Sequence, residues 1–206
     1  MQTDALATRF EVTLPEWVLV QLAALPDEFA ALEDRMRLVT RLADLNFRSG
    51  GGGPFAALVV ERDSGRLVSV GVNRTLASGL SSAHAEVVAL GLAQVRRGTW
   101  DLGAAGAPRT QLVVSARPCV LCFGALLWSG VTSLVIPDDG PALEDITGFD
   151  EGPLCPDWQA QLADRGIEVV VGVGRDDALA VFRAYADAVR RGDAILYNAR
   201  AAARNP

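Results

Sequence analysis

Residues 55–72, which read FAALVVERDSGRLVSVGV, form two apolar segments separated by a short polar turn. The segments Phe55 to Glu61 and Arg66 to Val72 are rich in valine, a residue that strands favour. The sequence Asp63-Ser64-Gly65 between them is typical of a hairpin. The stretch therefore predicts two antiparallel strands and a sheet built around them.

Helical patterns precede this hairpin. One helix is predicted over 13–25, with Pro15 in its first turn and Pro26 ending it. A second helix is predicted from a cap at Asp27 to about Arg48, because apolar residues recur there at helical spacing.

Beyond the hairpin, helical and strand-like segments alternate. Helices are predicted over 83–97, 119–129 and 176–191, strands over 111–115, 133–136 and 167–173, and an irregular segment over 138–156. Strands that are joined through helices usually pair in parallel. The pattern indicates a three-layer α/β/α sandwich with a mixed, mostly parallel sheet. We expect a single domain over 1–206, with 1–35 as an N-terminal helical extension.

The composition indicates a folded protein that acts on a small molecule. Half of the 206 residues are hydrophobic and 21% are charged, which excludes a disordered chain. The formal net charge is -6 and the isoelectric point is about 4.8. Proteins that bind a nucleic-acid backbone usually carry the opposite sign, so we expect a small-molecule substrate rather than nucleic acid.

Cysteine usage and the lack of targeting patterns indicate the cytoplasm. The three cysteines cannot form a full set of disulfides, and two of them lie three residues apart. Residues 1–10 lack the pattern of a signal peptide. No stretch approaches the ~18 uninterrupted apolar residues of a membrane span. We therefore expect a soluble cytoplasmic protein without membrane contact.

Two short motifs carry metal-binding residues. The sequence HAE at 84–86 opens one predicted helix, and PCVLC at 118–122 opens another. A helix start brings residues i and i+3 to one side, and its N–H groups favour thiolate over thiol. Zinc binds such a thiolate pair together with an imidazole. The motifs predict one Zn²⁺ per chain, held by His84, Cys119 and Cys122.

Glu86 is the predicted proton carrier of this site. Three protein ligands leave the fourth position of a tetrahedral zinc open for water, whose pKa the metal lowers. Glu86 would take the proton of that water and pass it to the substrate. Residues two apart in a regular helix point to nearly opposite sides. His84 and Glu86 can therefore both face the metal only if the first regular turn begins at about Ala85.

Other interpretations of these motifs stay open. A lone histidine is often a core or surface residue, and a CxxC pair is also found in redox sites and in structural zinc sites. A closed structural site would need Cys155 as its fourth ligand. Otherwise we expect Cys155 to be an ordinary buried thiol.

The chain resembles the cytidine deaminase-like superfamily. HxE followed by PCxxC is the signature of zinc nucleobase deaminases. The resemblance runs over about 36–182 and points to the branch of guanine deaminases, tRNA adenosine deaminases and fungal-type cytosine deaminases. GGPF at 52–55 is similar to the family's GGPFG segment, with Ala56 in place of the last glycine. It implies a cytidine deaminase-like fold.

The resemblance also implies substrate-binding residues. Asn73 lies eleven residues before His84, where the family has its substrate-binding asparagine, although a turn-forming role is the alternative. Phe55 ends the GGPF segment and is a further candidate. Trp128, in GALLW at 124–128, is typical of guanine deaminase-like members and would pack beside a purine or in the core.

Three further positions bear on the substrate. GFD at 148–150 resembles the segment with which guanine deaminases recognise an exocyclic amine, so Asp150 is predicted to bind substrate. Tyr197 and Asn198 are candidates for closing the site. Arg117 departs from the family, which usually has Glu before PCxxC, and a guanidinium there favours an acidic or carbonyl-rich ligand.

These residues predict a zinc-dependent hydrolytic deaminase that converts an amino-substituted purine-like base or nucleoside, guanine first, to its oxo form with release of ammonia. The alternatives are a cytosine or cytidine deaminase, a tRNA adenosine deaminase, and a non-catalytic zinc-stabilised binding domain. The family resemblance also implies a homodimer.

Overall fold

The hairpin predicted from residues 55–72 lies at one side of a five-stranded sheet in the computed structural model, which describes residues 6–199. Its strands are β1 (Ala56–Glu61), β2 (Leu67–Val72), β3 (Thr110–Val114), β4 (Ser133–Ile136) and β5 (Glu168–Val171), in the order β2-β1-β3-β4-β5. β1 pairs antiparallel with β2 and with β3, whereas β3-β4-β5 is parallel. The sheet is mixed as predicted, but its antiparallel and parallel pairings are equal in number.

Eight helices accompany the sheet in the described residues. They are α1 (Glu16–Ala23), α2 (Leu32–Arg48), α3 (Thr75–Ser78), α4 (Ala85–Arg97), α5 (Val120–Ser129), α6 (Ala142–Thr147), α7 (Trp158–Ala163) and α8 (Arg175–Arg191). Within 6–199, none of them is both long enough and apolar enough to cross a bilayer. The short helices α3, α6 and α7 were not predicted, because none is long enough for apolar spacing to be legible in the sequence.

The layers follow from the alternation of side chains along β1. Ala57 and Val59 face a core formed with α4, α5 and α7. Ala56, Leu58 and Val60 face a second core formed with α1 and α2. Since successive residues of a strand point to opposite faces, a run of buried apolar residues needs helices on both sides. The predicted three-layer α/β/α sandwich is therefore confirmed.

The predicted cap of the second helix at Asp27 is wrong. The Asp27 carbonyl instead accepts a hydrogen bond from the Leu67 N–H (2.9 Å), and the Phe29 N–H donates to the Gly65 carbonyl (2.9 Å). The buried guanidinium of Arg35 holds the Phe29 carbonyl as well (Nε to O, 2.7 Å). These contacts with the hairpin keep 27–31 out of the helix, so the cap is Ala31, four residues later than predicted.

One end of the sheet collects the segments that form the site. β2 and β3 end where β1 begins, because β1 is antiparallel to both. The Asn73 N–H donates to the Phe55 carbonyl (3.0 Å), and the Ser115 N–H donates to the Ala56 carbonyl (3.1 Å). The residues just before β1 and those just after β2 and β3 therefore lie next to one another at this end of the sheet.

Candidate active site

His84 is the residue before the first turn of α4. Its backbone is extended (φ -70°, ψ 154°) and α4 begins at Ala85, as the geometric argument predicted. A non-helical His84 escapes the helical rotation that would separate it from Glu86. Both side chains therefore line the same cavity.

Cys119 and Cys122 are arranged in the same way at the start of α5. Cys119 is the extended residue before the helix (φ -70°, ψ 173°), and Cys122 lies in its first turn. The Nδ1 atom of His84 is 3.4 Å from the Cys119 sulfur and 3.5 Å from the Cys122 sulfur. The three ligand atoms lie within 4.8 Å of one another.

These distances fit a zinc ion. Bonds of about 2.3 Å to sulfur and about 2.0–2.1 Å to nitrogen at tetrahedral angles separate a nitrogen and a sulfur ligand by roughly 3.5 Å. Among the described residues, the ligand group consists of His84, Cys119 and Cys122. Cys155 is exposed and stands outside it, so the structure does not support a closed four-ligand site. The expectation that Cys155 is a buried thiol is wrong.

The ligands carry shifted pKa values when no metal ion is beside them. A hydrogen bond from the Cys122 thiol, and then one from His84, lower the pKa of Cys119 to about 4. The same bond to Cys119, followed by burial, raises the pKa of Cys122. Burial lowers the pKa of His84, but the hydrogen bond to Cys119 and the charge of Glu86 outweigh it and raise the pKa to about 8. The site therefore holds protons that a cation would displace.

Glu86 is almost completely buried beside these ligands. Burial, followed by the charge of the Cys119 thiolate, raises the pKa of the Glu86 carboxyl to about 7, although the charge of His84 opposes the rise. A carboxyl group with a pKa near the working pH can both accept and release a proton. This is the property that a proton carrier needs.

The ligands and Glu86 line a cavity of about 710 Å³. Five of the six predicted substrate-binding residues also line it: Phe55, Asn73, Arg117, Asp150 and Tyr197. The sixth, Trp128, does not. Trp128 is 79% exposed on the outer side of α5, where it reaches neither the cavity nor the core of the described chain. The structure of this chain therefore does not support the predicted packing of Trp128 beside a substrate.

The Asn73 amide is held in one orientation. Its Oδ1 atom accepts hydrogen bonds from the Tyr197 hydroxyl (2.8 Å) and from the Thr75 N–H (3.1 Å). Among residues 6–199, its Nδ2 atom has no hydrogen-bond partner, which leaves two N–H donors for a ligand. Asn73 is thus prepared to bind an acceptor atom.

Tyr197 and Asn198 bring the C-terminal segment to the cavity of the same chain. The Tyr197 hydroxyl accepts a hydrogen bond from the Gly53 N–H (2.9 Å), and burial raises the pKa of Tyr197 to about 12. Asn198 donates to the Gly148 carbonyl (2.9 Å) and accepts from the Asp150 N–H (3.0 Å). The segment is thereby fixed against the loop 148–152.

The charged residues at the rim are engaged with the protein itself. Arg117 forms an ion pair with Glu144 of α6, so its guanidinium already has an anionic partner. The second carboxylate oxygen of Glu144, Oε2, is buried and has no partner among the described residues. The Asp150 carboxylate accepts a hydrogen bond from the Gly152 N–H (3.1 Å), which shapes the loop.

Glu151 is a cavity residue that the sequence analysis missed. Burial, and then the charges of Cys119 and Glu86, raise the pKa of its carboxyl to about 8. Its neighbour Asp150 is exposed, so Glu151 is the acid of this loop with the strongly altered environment. The only signal in the sequence was its position next to Asp150 in the segment GFDEG.

The site falls inside a region that is characteristic of a protein family. The family model of the cytidine and deoxycytidylate deaminase zinc-binding region matches residues 30–137, slightly more than half of the chain. The chain belongs to this deaminase family. The matched region contains the HAE and PCVLC motifs, so the three zinc ligands and Glu86 lie within it.

Solved structures of relatives share the whole fold. The guanine deaminase from Nitrosomonas europaea is 46% identical, with a TM-score of 0.82 over 88% of this chain and 98% of that one. A structure in complex with 2,6-diaminopurine is 47% identical, with a TM-score of 0.82 over 92% and 97% of the two chains. The fold is therefore the one that these deaminases have.

Curated relatives match over a shorter range. The guanine deaminase of Bacillus subtilis (strain 168) is 33% identical over 97 residues, which are 47% of this chain and 58% of that protein. A probable cytosine deaminase of Schizosaccharomyces pombe is 31% identical over 49% of its length. The matches thus span about half the length of these curated relatives.

Proposed function

We propose that the chain is a zinc-dependent hydrolytic deaminase that converts a purine-like base, guanine first, to its oxo form with release of ammonia. The observation that carries this proposal is the buried carboxyl of Glu86. It lies with His84, Cys119 and Cys122 on a cavity that the Asn73 amide also lines. Hydrolytic deamination needs a metal, a proton carrier and a base-binding group in such an arrangement.

Zinc, when bound by the three ligands, supplies Lewis acidity that makes water nucleophilic near neutral pH. Glu86 accepts a proton from the attacking water and returns it to the ring nitrogen next to the attacked carbon. Burial, which raises the pKa of this carboxyl to about 7 in the metal-free protein, favours a group that can both accept and release a proton. Water and the amino-substituted ring thus yield a ring carbonyl and ammonia.

Glu151 provides a second proton source for the departing amine. In the metal-free protein, burial and then the charges of Cys119 and Glu86 raise the pKa of its carboxyl to about 8, which favours the protonated form. A protonated carboxyl on the cavity wall can donate to the amine nitrogen as the C–N bond breaks and ammonia leaves. The hydroxyl added to the ring carbon gives its proton to that carboxylate as it becomes the ring carbonyl, so Glu151 ends protonated again. Two carboxyl groups with different environments can divide the proton transfers between them.

The cavity suits a flat aromatic ring. Phe55 and Phe149 are in contact (ring centroids 5.1 Å apart) and both line it, so they offer an apolar surface to a base. The Nδ2 donors of Asn73 can bind a ring carbonyl or ring nitrogen. The relatives in complex with 2,6-diaminopurine and 8-azaguanine support a purine as the ligand.

The decisive experiment is ammonia release from a panel of guanine, adenine, cytosine and their nucleosides, with a tRNA substrate as a further arm. We expect guanine to be turned over at the highest kcat/KM. If the protein turned over only cytosine, or only tRNA, that molecule would be the substrate instead of guanine. A zinc-loaded protein that releases ammonia from none of them contradicts the proposal.

Glu86→Gln separates catalysis from metal binding. The variant keeps the size of the side chain but cannot carry a proton, so kcat should fall by at least about 10²–10⁴. Its zinc content, measured by atomic emission, should equal that of the wild type. A variant that stays active would remove Glu86 from the mechanism.

We further propose that the chain forms a homodimer in the cytoplasm. α4 and α5 pack side by side and carry the exposed side chains of Val95 and Trp128. Large exposed apolar side chains of this kind mark protein interfaces. The thiolate ligands also require a reducing compartment. Sedimentation analysis should give a dimer for the wild type and a monomer for Trp128→Lys; equal masses would exclude this face.

A further inference from the structure

Asn46 is a completely buried polar side chain that the proposed chemistry does not use. It lies near the C-terminal end of α2. Its Nδ2 atom donates to the Gly53 carbonyl (2.9 Å) and to the Asn73 carbonyl (2.9 Å). A side-chain amide nitrogen has two hydrogens, so both donors of Asn46 are committed to these two carbonyls.

The two residues that Asn46 joins are joined again on the cavity side. The Tyr197 hydroxyl accepts a hydrogen bond from the Gly53 N–H (2.9 Å) and donates to the Asn73 Oδ1 atom (2.8 Å). Asn46 binds the two backbone carbonyls from within the core. Tyr197, which lines the cavity, binds the Gly53 N–H and the Asn73 side chain. Gly53 and Asn73 are therefore held by four hydrogen bonds from two side chains.

The packing between the two segments leaves little room for movement. A Cβ atom on Gly52 would lie 2.4 Å from Asn73 Oδ1 and 2.6 Å from the Asn73 carbonyl oxygen. The glycine segment thus touches the asparagine directly. The position of the Asn73 amide depends on how close these backbones are held, and Asn46 is the buried side chain that bonds to both.

We propose that Asn46 is a positioning residue for the Asn73 amide. It sets the distance between the glycine segment 51–53 and Asn73, so that Oδ1 meets Tyr197 and Thr75 while Nδ2 points to the ligand. The inference rests on the proposed function in one respect, namely that Asn73 binds the base. Asn46 itself touches no substrate.

The chemistry at position 46 is specific. Leucine has a comparable size but no donor, so it would leave the Asn73 carbonyl without its partner and the Gly53 carbonyl with only the Phe55 N–H. Aspartate would place a carboxylate against two carbonyl oxygens. Asparagine carries two N–H donors on one nitrogen, and it donates one to each of the two carbonyls.

A double-mutant cycle tests the inference. We would measure kcat/KM for guanine in the wild type, Asn46→Ala, Asn73→Ala and the double variant, each loaded with zinc. If Asn46 acts through Asn73, Asn46→Ala lowers kcat/KM by about tenfold or more in the wild type. The same change in the Asn73→Ala background should have almost no effect. An equal loss in both backgrounds would overturn the proposal.

A matched control excludes a general effect of α2. Thr40 is another buried polar residue of this helix, and its hydroxyl has no partner among the described residues. Thr40→Ala should leave kcat/KM unchanged. If Asn46→Ala does not fold, Asn46→Ser serves in its place.

A crystal structure of the folded Asn46 variant gives a readout that does not depend on turnover. We expect the Gly53 and Asn73 carbonyls to separate and the Asn73 amide to leave its position beside Tyr197. An Asn73 amide that stays in place would contradict the inference. If the wild type releases ammonia from no base, the proposed function fails, while this comparison still decides the role of Asn46.

Discussion

Two carboxyl groups, those of Glu86 and Glu151, line one cavity, and the charge of Glu86 contributes, after burial and the charge of Cys119, to the raised pKa of Glu151. Ionisation of Glu86 therefore makes ionisation of Glu151 more difficult. This property lets one group act as a base while the other acts as an acid.

Glu151 should make the stability of the metal-free protein depend on pH. Its pKa rises from an ordinary 4.5 to about 8, so the folded state retains a proton that the unfolded chain releases. The contribution of this proton to the free energy of unfolding is complete below about pH 4.5. It is lost as the pH rises towards 8, by at most about 1.4 kcal/mol per pH unit. Glu151→Gln should flatten this dependence.

Urea unfolding of chelator-treated protein between about pH 5 and pH 8 measures the effect. The charges that act on Glu151 come from Cys119, Glu86, His84 and Glu144, which stay the same in the variant. Glu33→Gln, at an exposed position of α2, is the control and should leave the curve of the wild type unchanged. If the free energy of unfolding depended on pH in the same way in the wild type and in Glu151→Gln, Glu151 would not be the group responsible.

Single residues were predictable from the sequence where local spacing determines their positions. His84, Glu86, Cys119 and Cys122 belong to two short motifs at helix starts, so a local rule was enough to bring each pair together. Their meeting in space, and the burial of Glu151 and Asn46, depend on contacts between distant segments. A polar residue in a loop or on a helix has no sequence signal for such burial.

At the scale of elements, α4 and α5 both direct their N-terminal ends at the ligand cluster. Helix N-termini carry partial positive charge, which favours thiolate and carboxylate groups nearby. The Cys122 N–H at the start of α5 adds to the hydrogen bonds from the Cys122 thiol and from His84 that lower the pKa of Cys119 to about 4. This explains why these ligands lie at helix starts and not within helices.

The ion pair between Arg117 and Glu144 connects the segment that precedes α5 with α6. Arg117→Met should lower the free energy of unfolding by about 1–3 kcal/mol, because it leaves a half-buried carboxylate without its partner. The double variant Arg117→Met/Glu144→Gln should recover most of this loss, since the unpaired charge is removed as well. Urea denaturation of the three proteins measures both changes; additive losses would mean that the two residues act independently.

The start of α2 shows where local signals fail at this scale. Asp27 is a good helix cap by residue type, but its backbone and that of Phe29 bond to the hairpin instead. Hydrogen bonds between distant segments outweighed the local preference of Asp27. The direction of β3 was also not set by a local signal. β3 runs antiparallel because it pairs with β1, and this contact between distant segments cannot be read from the sequence of β3.

For the whole molecule, the metal site connects segments that lie far apart in the chain. His84 precedes α4 and the cysteines start α5, and both helices pack on one face of the sheet. A bound ion therefore stabilises the arrangement of two helices and not only a local loop.

Removing zinc with a chelator should lower the melting temperature by roughly 5–10 °C, because a ligand at 100 times its Kd contributes about 2.7 kcal/mol to a domain of this size. Differential scanning fluorimetry before and after chelation, and after adding zinc back, measures the effect. Cys155→Ser should behave like the wild type, since this thiol is exposed and outside the ligand group. Loss of zinc from Cys155→Ser would restore the four-ligand alternative.

The separation of ligands and base-contacting segments along the chain has a consequence for how such a protein changes over evolutionary time. The metal ligands and Glu86 are confined to 84–122, whereas the loop 148–152 and the segment 197–199 approach the cavity from elsewhere. Mutations in those two segments that spare Glu151 can alter which molecule is accepted and leave the metal ligands and both carboxyl groups unchanged. New substrate preferences can therefore arise by small steps, each of which passes through a working enzyme.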